Sequence, residues 1–209
     1  MYKKFKQFIY RNLIPLIKFY KYLQWLNYQR KYKEICLIIG AGPTKYPGWF
    51  STDIHTLDVT KEEDFKKYFS KRKINKILAE HVLEHLTIEE IKIMLGNCYS
   101  YSADNLNIRI AVPDGYHSNE KYIKKVKPGG TGEGSYDHKH LFNYKSLSDI
   151  FEEAGFKANP VEYWNDEKNF ITTYKNNENG LIKRSFINDS RNSDGNPNYT
   201  SLIIDFTKK

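Results

Sequence analysis

Cys36-Leu37-Ile38-Ile39-Gly40-Ala41-Gly42-Pro43-Thr44-Lys45-Tyr46-Pro47-Gly48-Trp49-Phe50-Ser51-Thr52-Asp53 is the stretch on which the fold turns. An apolar run stops at Gly-x-Gly, and a second short β-rich run ends on a carboxylate. Two neighbouring parallel strands present a nucleotide site in this way. The glycines allow backbone to approach a ligand where a side chain would collide, and an Asp closing the next strand can accept both hydroxyls of a ribose. A tight strand-to-loop turn needs the same glycines, so the motif is read with its surroundings.

Strand one is expected over Ile35 to Ile39. Only the short segment after it precedes the strand ending at Asp53, so any crossover helix is reduced to about a turn. Leu57-Asp58-Val59-Thr60 reads as a further short strand. Thr60-x-x-Glu63 then forms a capping-box pattern, with Phe65, Tyr68 and Phe69 at helical spacing. Ile74 to Glu80 is the next strand, and Glu80-His81-Val82-Leu83-Glu84-His85-Leu86 leaves its carboxyl end, where open α/β sheets bind ligands. Thr87-x-x-Glu90 is a second capping box, heading a helix to about Tyr101 with Ile88, Ile91, Leu95 and Cys98 as its buried stripe.

Leu106 to Val112 reads as a strand ending at Pro113-Asp114. Tyr116 to Tyr136 is the loosest region, centred on Pro128-Gly129-Gly130-Thr131-Gly132-Glu133-Gly134. No Gly-Lys-Ser/Thr follows, which excludes a P-loop; a lid is expected, flanked by His117 and by Asp137-His138-Lys139-His140. A helix with Leu147, Ile150, Phe151 and Ala154 on one face ends at Gly155. Phe156 to Trp164 and Ser201 to Phe206 complete the strands, and Asn188 to Tyr199 is turn or loop. The alternation implies an α/β, doubly wound, mostly parallel sheet of the seven-stranded type, with an antiparallel final pair.

The 209 residues suffice for one such domain, expected over residues 34–209. Residues 1–33 form a separate basic arm: they hold nine of the 33 Lys and Arg and no Asp or Glu, leaving 24 basic against 25 acidic residues in the domain. The +8 net charge therefore belongs to the arm. From Leu16, with Pro15 marking the first turn, Phe19, Tyr20, Leu23 and Leu26 make an amphipathic helical stripe. Such a face can lie on anionic lipid, or pack on the domain or on a second subunit; nucleic acid is disfavoured, because no recognition motif accompanies the aromatics. The domain is expected to fold without residues 1 to 30. Cys36 and Cys98 give neither metal spacing nor a disulfide framework, in keeping with a reducing, cytoplasmic compartment, peripheral on the inner face of the membrane if the arm binds lipid. No run reaches the roughly 18 apolar residues of a membrane span.

Together, Ile39-Gly-Ala-Gly-Pro43 with Pro47-Gly48-Trp49 and Asp53-Ile54, Leu57-Asp-Val-Thr60, Ala79-Glu-His-Val-Leu-Glu-His-Leu86, Val112-Pro-Asp114, His140, Glu153-Ala-Gly-Phe156, Arg184-Ser185, Asp189-Ser-Arg-Asn192 and Tyr199-Thr-Ser-Leu-Ile203 resemble a family. It is the Rossmann-like S-adenosylmethionine-dependent methyltransferases, and in particular a small group encoded beside glycosyltransferase and surface-polysaccharide genes. The resemblance covers residues from about 35 to 208. It implies S-adenosyl-L-methionine as cofactor, with Gly40, Ala41 and Gly42 against its methionine part. Asp53 would lie on the ribose, Asp58 toward the adenine amino group, and Glu80 and His81 beside the sulfonium. Ile38 stands where the family has an acidic residue, and Pro43 in the region of a third glycine. Glu84 and His85 are expected to anchor the outgoing turn to the sheet.

Methyl transfer needs chiefly an aligned nucleophile; a hydroxyl acceptor also needs a general base. His81, Asp114, His138 and His140 are the candidates, with His117 nearby. Asp137-His138-x-His140 also admits metal ligation, but a two-residue His spacing occurs often without metal, and none is expected. The resemblance implies an enzyme methylating a small acceptor such as a sugar or sugar nucleotide of surface-polysaccharide biosynthesis. The rival is a degenerate member of the fold that binds or scaffolds in that pathway. A nicotinamide oxidoreductase shares the ribose carboxylate, but the Glu-His-Val-Leu-Glu-His segment and the shortened first crossover argue against it.

Overall fold

Alternation along the central strands sorts their side chains onto two faces, and both faces are covered. The computed structural model describes the backbone of residues 2–209 and the side chains of residues 13–209. Its strands are β1 (Cys36–Ile39), β2 (Phe50–Ser51), β3 (Ile74–Glu80), β4 (Ser102–Pro113), β5 (Phe156–Trp164), β6 (Phe170–Thr172) and β7 (Ser201–Lys208), in one sheet ordered β2-β1-β3-β4-β7-β5-β6. β2, β1, β3 and β4 pair in parallel, β7 is antiparallel to both β4 and β5, and β6 is antiparallel to β5. This is the expected seven-stranded α/β architecture. β2 and β3 flank β1 on opposite sides, so the connections diverge above β1, where a crevice opens.

The helices are α1 (Tyr2–Lys31), α2 (Glu62–Phe69), α3 (Ile88–Tyr101), α4 (Glu120–Val126) and α5 (Tyr144–Glu153). Leu37 and Ile39 of β1, Ile77 of β3, Ile108 and Ile110 of β4 and Ile204 of β7 pack with Phe65 and Phe69 of α2, Ile91 and Leu95 of α3, and Phe151 of α5. On the opposite face, Ile38, Leu78, Ala111 and Ile203 are covered by Tyr174 and Ile182, from the long strap between β6 and β7. The strap is tied down by Arg109 in the middle of β4. Its guanidinium makes two 2.7 Å hydrogen bonds to Asp205 and donates to the carbonyl of Gly180 at 2.7 Å.

Local capping sets the helix starts. The Thr87–Glu90 capping box forms, and Asn143 with Ser146 makes another before α5. The one expected at Thr60–Glu63 does not. Thr60 Oγ1 bonds Asp58 Oδ1, Asp64 accepts from Asp58 N, and α2 starts at Glu62 behind Lys61, without a side-chain cap. The same bonds close a turn at Val59–Thr60, and the strand expected over Leu57–Thr60 is absent. α4 forms inside the stretch read as the loosest region, and β6 lies in a stretch where no element is expected from the sequence. Pro15 lies within α1 rather than at its start, so the helix begins well before Leu16.

The arm is not a separate unit. Trp25 is 1% exposed and Tyr28 is buried in the main core, whereas Leu16, Phe19, Tyr20 and Leu23 remain exposed. The boundary expected after residue 33 falls just beyond α1, but that helix packs on the domain's core, and the stripe splits into a docked half and a free half. Basic residues before Leu13 have their side chains outside the described set. No helix among the described residues is long and apolar enough to cross a membrane. Both cysteines are free thiols.

Candidate active site

Two lobes of one crevice open above the carboxyl ends of β1, β2 and β3, sharing Ile39, Gly40, His81 and His85. The first, about 360 Å³, is lined by Gly42, Thr44, Glu80, Glu84, His138 and Lys183 among others. The second, about 340 Å³, is lined by Asp53, Ile54, Leu57, Asp58, Val82 and Leu86 among others. A basic extension of about 470 Å³ continues past His81, Glu133, His138 and Arg184 to Lys125, Arg191 and Tyr199.

The glycine turn serves two purposes. A Cβ on Gly40, at φ +59, would stand 2.5 Å from Val82 Cγ2, so that glycine is demanded by packing against the turn after β3. Gly42, at φ +50, would place its Cβ in open space with no atom within 4 Å. Its bare backbone lines the crevice, as close approach of a ligand requires. Ala41 is buried beneath the turn and donates its N–H to Thr52 O at 2.8 Å.

Asp53 is exposed at the mouth, its Oδ1 accepting from Ile54 N at 2.8 Å; among the described hydrogen bonds Oδ2 takes none. Asp58 lines the second lobe with its oxygens partly engaged: Oδ1 accepts from Thr60 N and Oγ1, and Oδ2 faces Lys61 Nζ at 3.0 Å. Burial pushes its carboxyl up, but these bonds outweigh that and hold it below the ordinary aspartate value. Glu80 is committed to the strap, accepting from Lys183 N at 3.1 Å and Arg184 N at 2.9 Å. It holds two cationic residues over the crevice instead of presenting its own charge.

His81 has φ 55, a left-handed conformation rare for a residue with a Cβ, which turns it out of β3. Its Nε2 lies 3.1 Å from Ser201 Oγ, whose own hydrogen goes to Arg184 O at 2.8 Å. Its Nδ1 lies 3.1 Å from Glu84 Oε1. Glu84 is fully buried. Burial pushes its carboxyl up; His81, then His85, outweigh this and hold it below the ordinary glutamate value. Glu84 and His85, expected only to anchor the outgoing turn, also line the first lobe, because anchoring and lining look alike in sequence.

The base candidates separate. His81 and His138 reach the crevice, whereas Asp114 and His140 line neither lobe nor the extension. Asp114 is buried and its carboxyl accepts from Tyr116 N and Trp164 N, fastening the β4 end to β5. His140 lies against Phe142. His117 stacks on Tyr122 with ring centroids 4.0 Å apart, and burial lowers its pKa to about 4.

Burial raises the Asp114 carboxyl to about 7 and that of Glu162, on β5, to about 8. A carboxyl raised on folding stabilises the fold below its unfolded pKa, and that stability is lost as pH rises through the folded value. Urea midpoints should therefore fall between pH 6 and pH 9, and less steeply in Glu162→Gln. Parallel pH profiles for the two proteins would contradict this assignment.

The glycine-rich segment is a packed continuation of α4. Thr131 N and Gly132 N donate to Lys124 O and Lys125 O, and a Cβ on Gly130 would stand 2.5 Å from Lys125 O. His138 is already seated in the crevice by this packing, so the structure needs no lid closure to deliver it.

The sequence matches no protein-family model and no curated protein. Among solved structures, a SAM-dependent methyltransferase from Archaeoglobus fulgidus is similar at 17% identity over 90% of this chain and 94% of that one, with a TM-score of 0.44. The magnesium protoporphyrin IX methyltransferase of Synechocystis, solved with SAH, is 10% identical over 96% of this chain and 84% of that one, at a TM-score of 0.42. LepI, solved with SAH and a substrate analogue, is 6% identical over 90% of this chain, at 0.46; the chain spans only 39% of LepI's length. At such identities and scores the likenesses assign nothing to this chain.

Proposed function

We propose that the crevice binds S-adenosylmethionine and that the protein transfers its methyl group to a small polar acceptor. The observation that carries this reading is the convergence of the bare Gly42 turn, the Asp53 carboxylate and the β3 end at His81 on one crevice. The residues suit the cofactor. Gly42 leaves room for it, Asp53 offers an oxygen to ribose hydroxyls, and Ile54, Leu57, Val82 and Leu86 form an apolar slot for the base. Lys183, which also donates to Thr44 Oγ1 at 3.0 Å, and Arg184 supply positive charge for a carboxylate.

When bound, S-adenosylmethionine supplies an electrophilic methyl carbon. The chain's task is to hold an acceptor in the adjoining basic extension, where Lys125 and Arg184 favour an anionic or phosphorylated molecule. A sugar or sugar nucleotide of surface-polysaccharide assembly fits that chemistry and the sequence resemblance. Of the base candidates, His138 turns Nε2 to the crevice wall, because Nδ1 faces the Val126 carbonyl at 2.7 Å and must donate to it, so that in the neutral ring Nε2 carries the lone pair.

Calorimetry with S-adenosylhomocysteine tests the reading. A hydrogen bond to a charged acceptor contributes roughly 1.5–3 kcal/mol, so Asp53→Ala should weaken binding by about ten- to a hundredfold or more. No affinity in the unmodified protein, or unaltered affinity in the variant, would overturn it. The engaged Asp58 favours the rival reading, a binding or scaffolding protein; affinity without methyl transfer to any phosphosugar tried would select that rival.

We also infer that the free half of α1 rests on an anionic lipid surface at the inner face of the membrane. Leu16, Phe19, Tyr20 and Leu23 stay exposed on an arm whose sequence has nine basic and no acidic residues. Leu16→Glu/Phe19→Glu should abolish sedimentation with phosphatidylglycerol vesicles while leaving the protein folded. Unchanged sedimentation would refute the contact, and a loss of dimers in the same variant would assign the face to a second copy.

A further inference from the structure

Three ligand-type side chains meet at the floor of the crevice in a way that methyl transfer does not require. Glu84, His85 and His138 each bring one ligand atom to a cluster whose members all lie within 4.8 Å of one another. Glu84 is 0% exposed, and neither carboxylate oxygen has a hydrogen-bond partner among the described residues. His81 Nδ1 lies 3.1 Å from Oε1 and offsets the charge there when protonated, but Oε2 has no partner among the described residues. A buried carboxylate left this way is costly unless something else coordinates it.

The histidines are oriented to supply the rest. His138 donates Nδ1–H to Val126 O, so its Nε2 lone pair faces Glu84 Oε1, 4.0 Å away. A backbone carbonyl that fixes the tautomer in this way is the usual support of a metal-binding imidazole. His85 stands edge-on to His138 at 4.8 Å between ring centroids, with Asp137 Oδ2 3.3 Å from its Nδ1 as an outer carboxylate.

We propose that Glu84, His85 and His138 bind one divalent first-row transition metal ion. Two imidazoles and one carboxylate suit zinc, cobalt, manganese or iron better than calcium or magnesium, which favour oxygen ligands. Ligand atoms at about 2.1 Å from a common ion stand about 3–4 Å apart, so the cluster needs to contract by only about 1 Å. The pairing Asp137-His138-x-His140 considered from the sequence is replaced by one that joins the turn after β3 to the segment after α4. With the ion bound, His138 Nε2 is a ligand and no longer a base. On the methyl-transfer reading, which this consequence rests on, an acceptor hydroxyl placed on the ion would lose its proton to solvent more readily. The ion site itself does not depend on that reading.

The test is zinc and cobalt titration of the chelator-stripped full chain, by calorimetry and by cobalt absorption, with S-adenosylhomocysteine titrated into the same samples. One ion per chain is expected, bound far more tightly than magnesium. Glu84→Gln and His138→Gln should each lose more than the roughly 10- to 100-fold that outer-shell changes cost. His85→Gln, at a partly exposed position, gives the same readout if the buried variants fail to fold. His140→Gln should bind as the parent does. Zinc binding weaker than about 1 mM, or affinity lost in His140→Gln but kept in Glu84→Gln or His85→Gln, would overturn the proposal. Metal binding without S-adenosylhomocysteine binding would uphold the site and refute the methyl-transfer reading.

Discussion

Arg109→Leu is expected to lower the unfolding free energy by about 3–5 kcal/mol, the cost of breaking a buried ion pair from one side. Arg109 is 2% exposed, and its guanidinium meets Asp205 with two bonds of 2.7 Å. Its Nη1 donates to Gly180 O at 2.7 Å and to Asn177 Oδ1 at 3.0 Å, and the group lies over the Tyr174 ring. Leucine leaves the Asp205 carboxylate buried without its cation and frees the strap on which Lys183 and Arg184 reach the crevice. Arg109→Leu/Asp205→Leu should recover much of the loss, because no uncompensated charge then remains. Urea unfolding measures both. A change below about 1 kcal/mol in the single variant would mean that the strap is held by its apolar contacts alone. The same variant should bind S-adenosylhomocysteine more weakly, since the two cations above Glu80 lose their fixed backbone.

The order of legibility in this chain follows the range of the forces involved. The glycine turn, the Thr87 capping box and the strand alternation depend on neighbours a few residues away, and these features appear as expected. Asp58 shows where local reasoning meets competition. Thr60 and Lys61 take the oxygens that the resemblance assigns to a base, and nothing in spacing decides which partner wins. Arg109 stands out in an apolar strand as a charged residue, but Asp205, which makes it tolerable there, lies 96 residues later. Glu84 and His138 are likewise joined only by the topology that lays the segment after α4 beside the end of β3. The capping-box pattern at Thr60 failed because Asp64 reaches back to Asp58 N and moves the helix start by a residue.

Trp25→Ala should cost about 3–5 kcal/mol, the range for truncating a large buried aromatic. Composition sets residues 1–33 apart, yet Trp25 is 1% exposed, with edge-on contacts to Phe50 at 5.2 Å and Phe69 at 5.3 Å between ring centroids. Tyr68 closes the same pocket at 5.9 Å. One turn further on, Tyr28 accepts from Cys36 N at 2.9 Å and donates to Gly48 O at 2.9 Å, bracing β1 and the segment that leads into β2. The helix thus fixes the base of the strand from which the glycine turn departs. Deleting residues 1 to 30 would strip this aromatic pocket and should leave an unstable domain, against the expectation drawn from charge. Leu16→Ala, at a position 63% exposed, should stay within about 0.5 kcal/mol of the parent. Denaturant midpoints of the two point variants separate the halves of the helix. A Trp25→Ala protein as stable as Leu16→Ala would show that α1 does not hold the domain and that its core is complete without the arm.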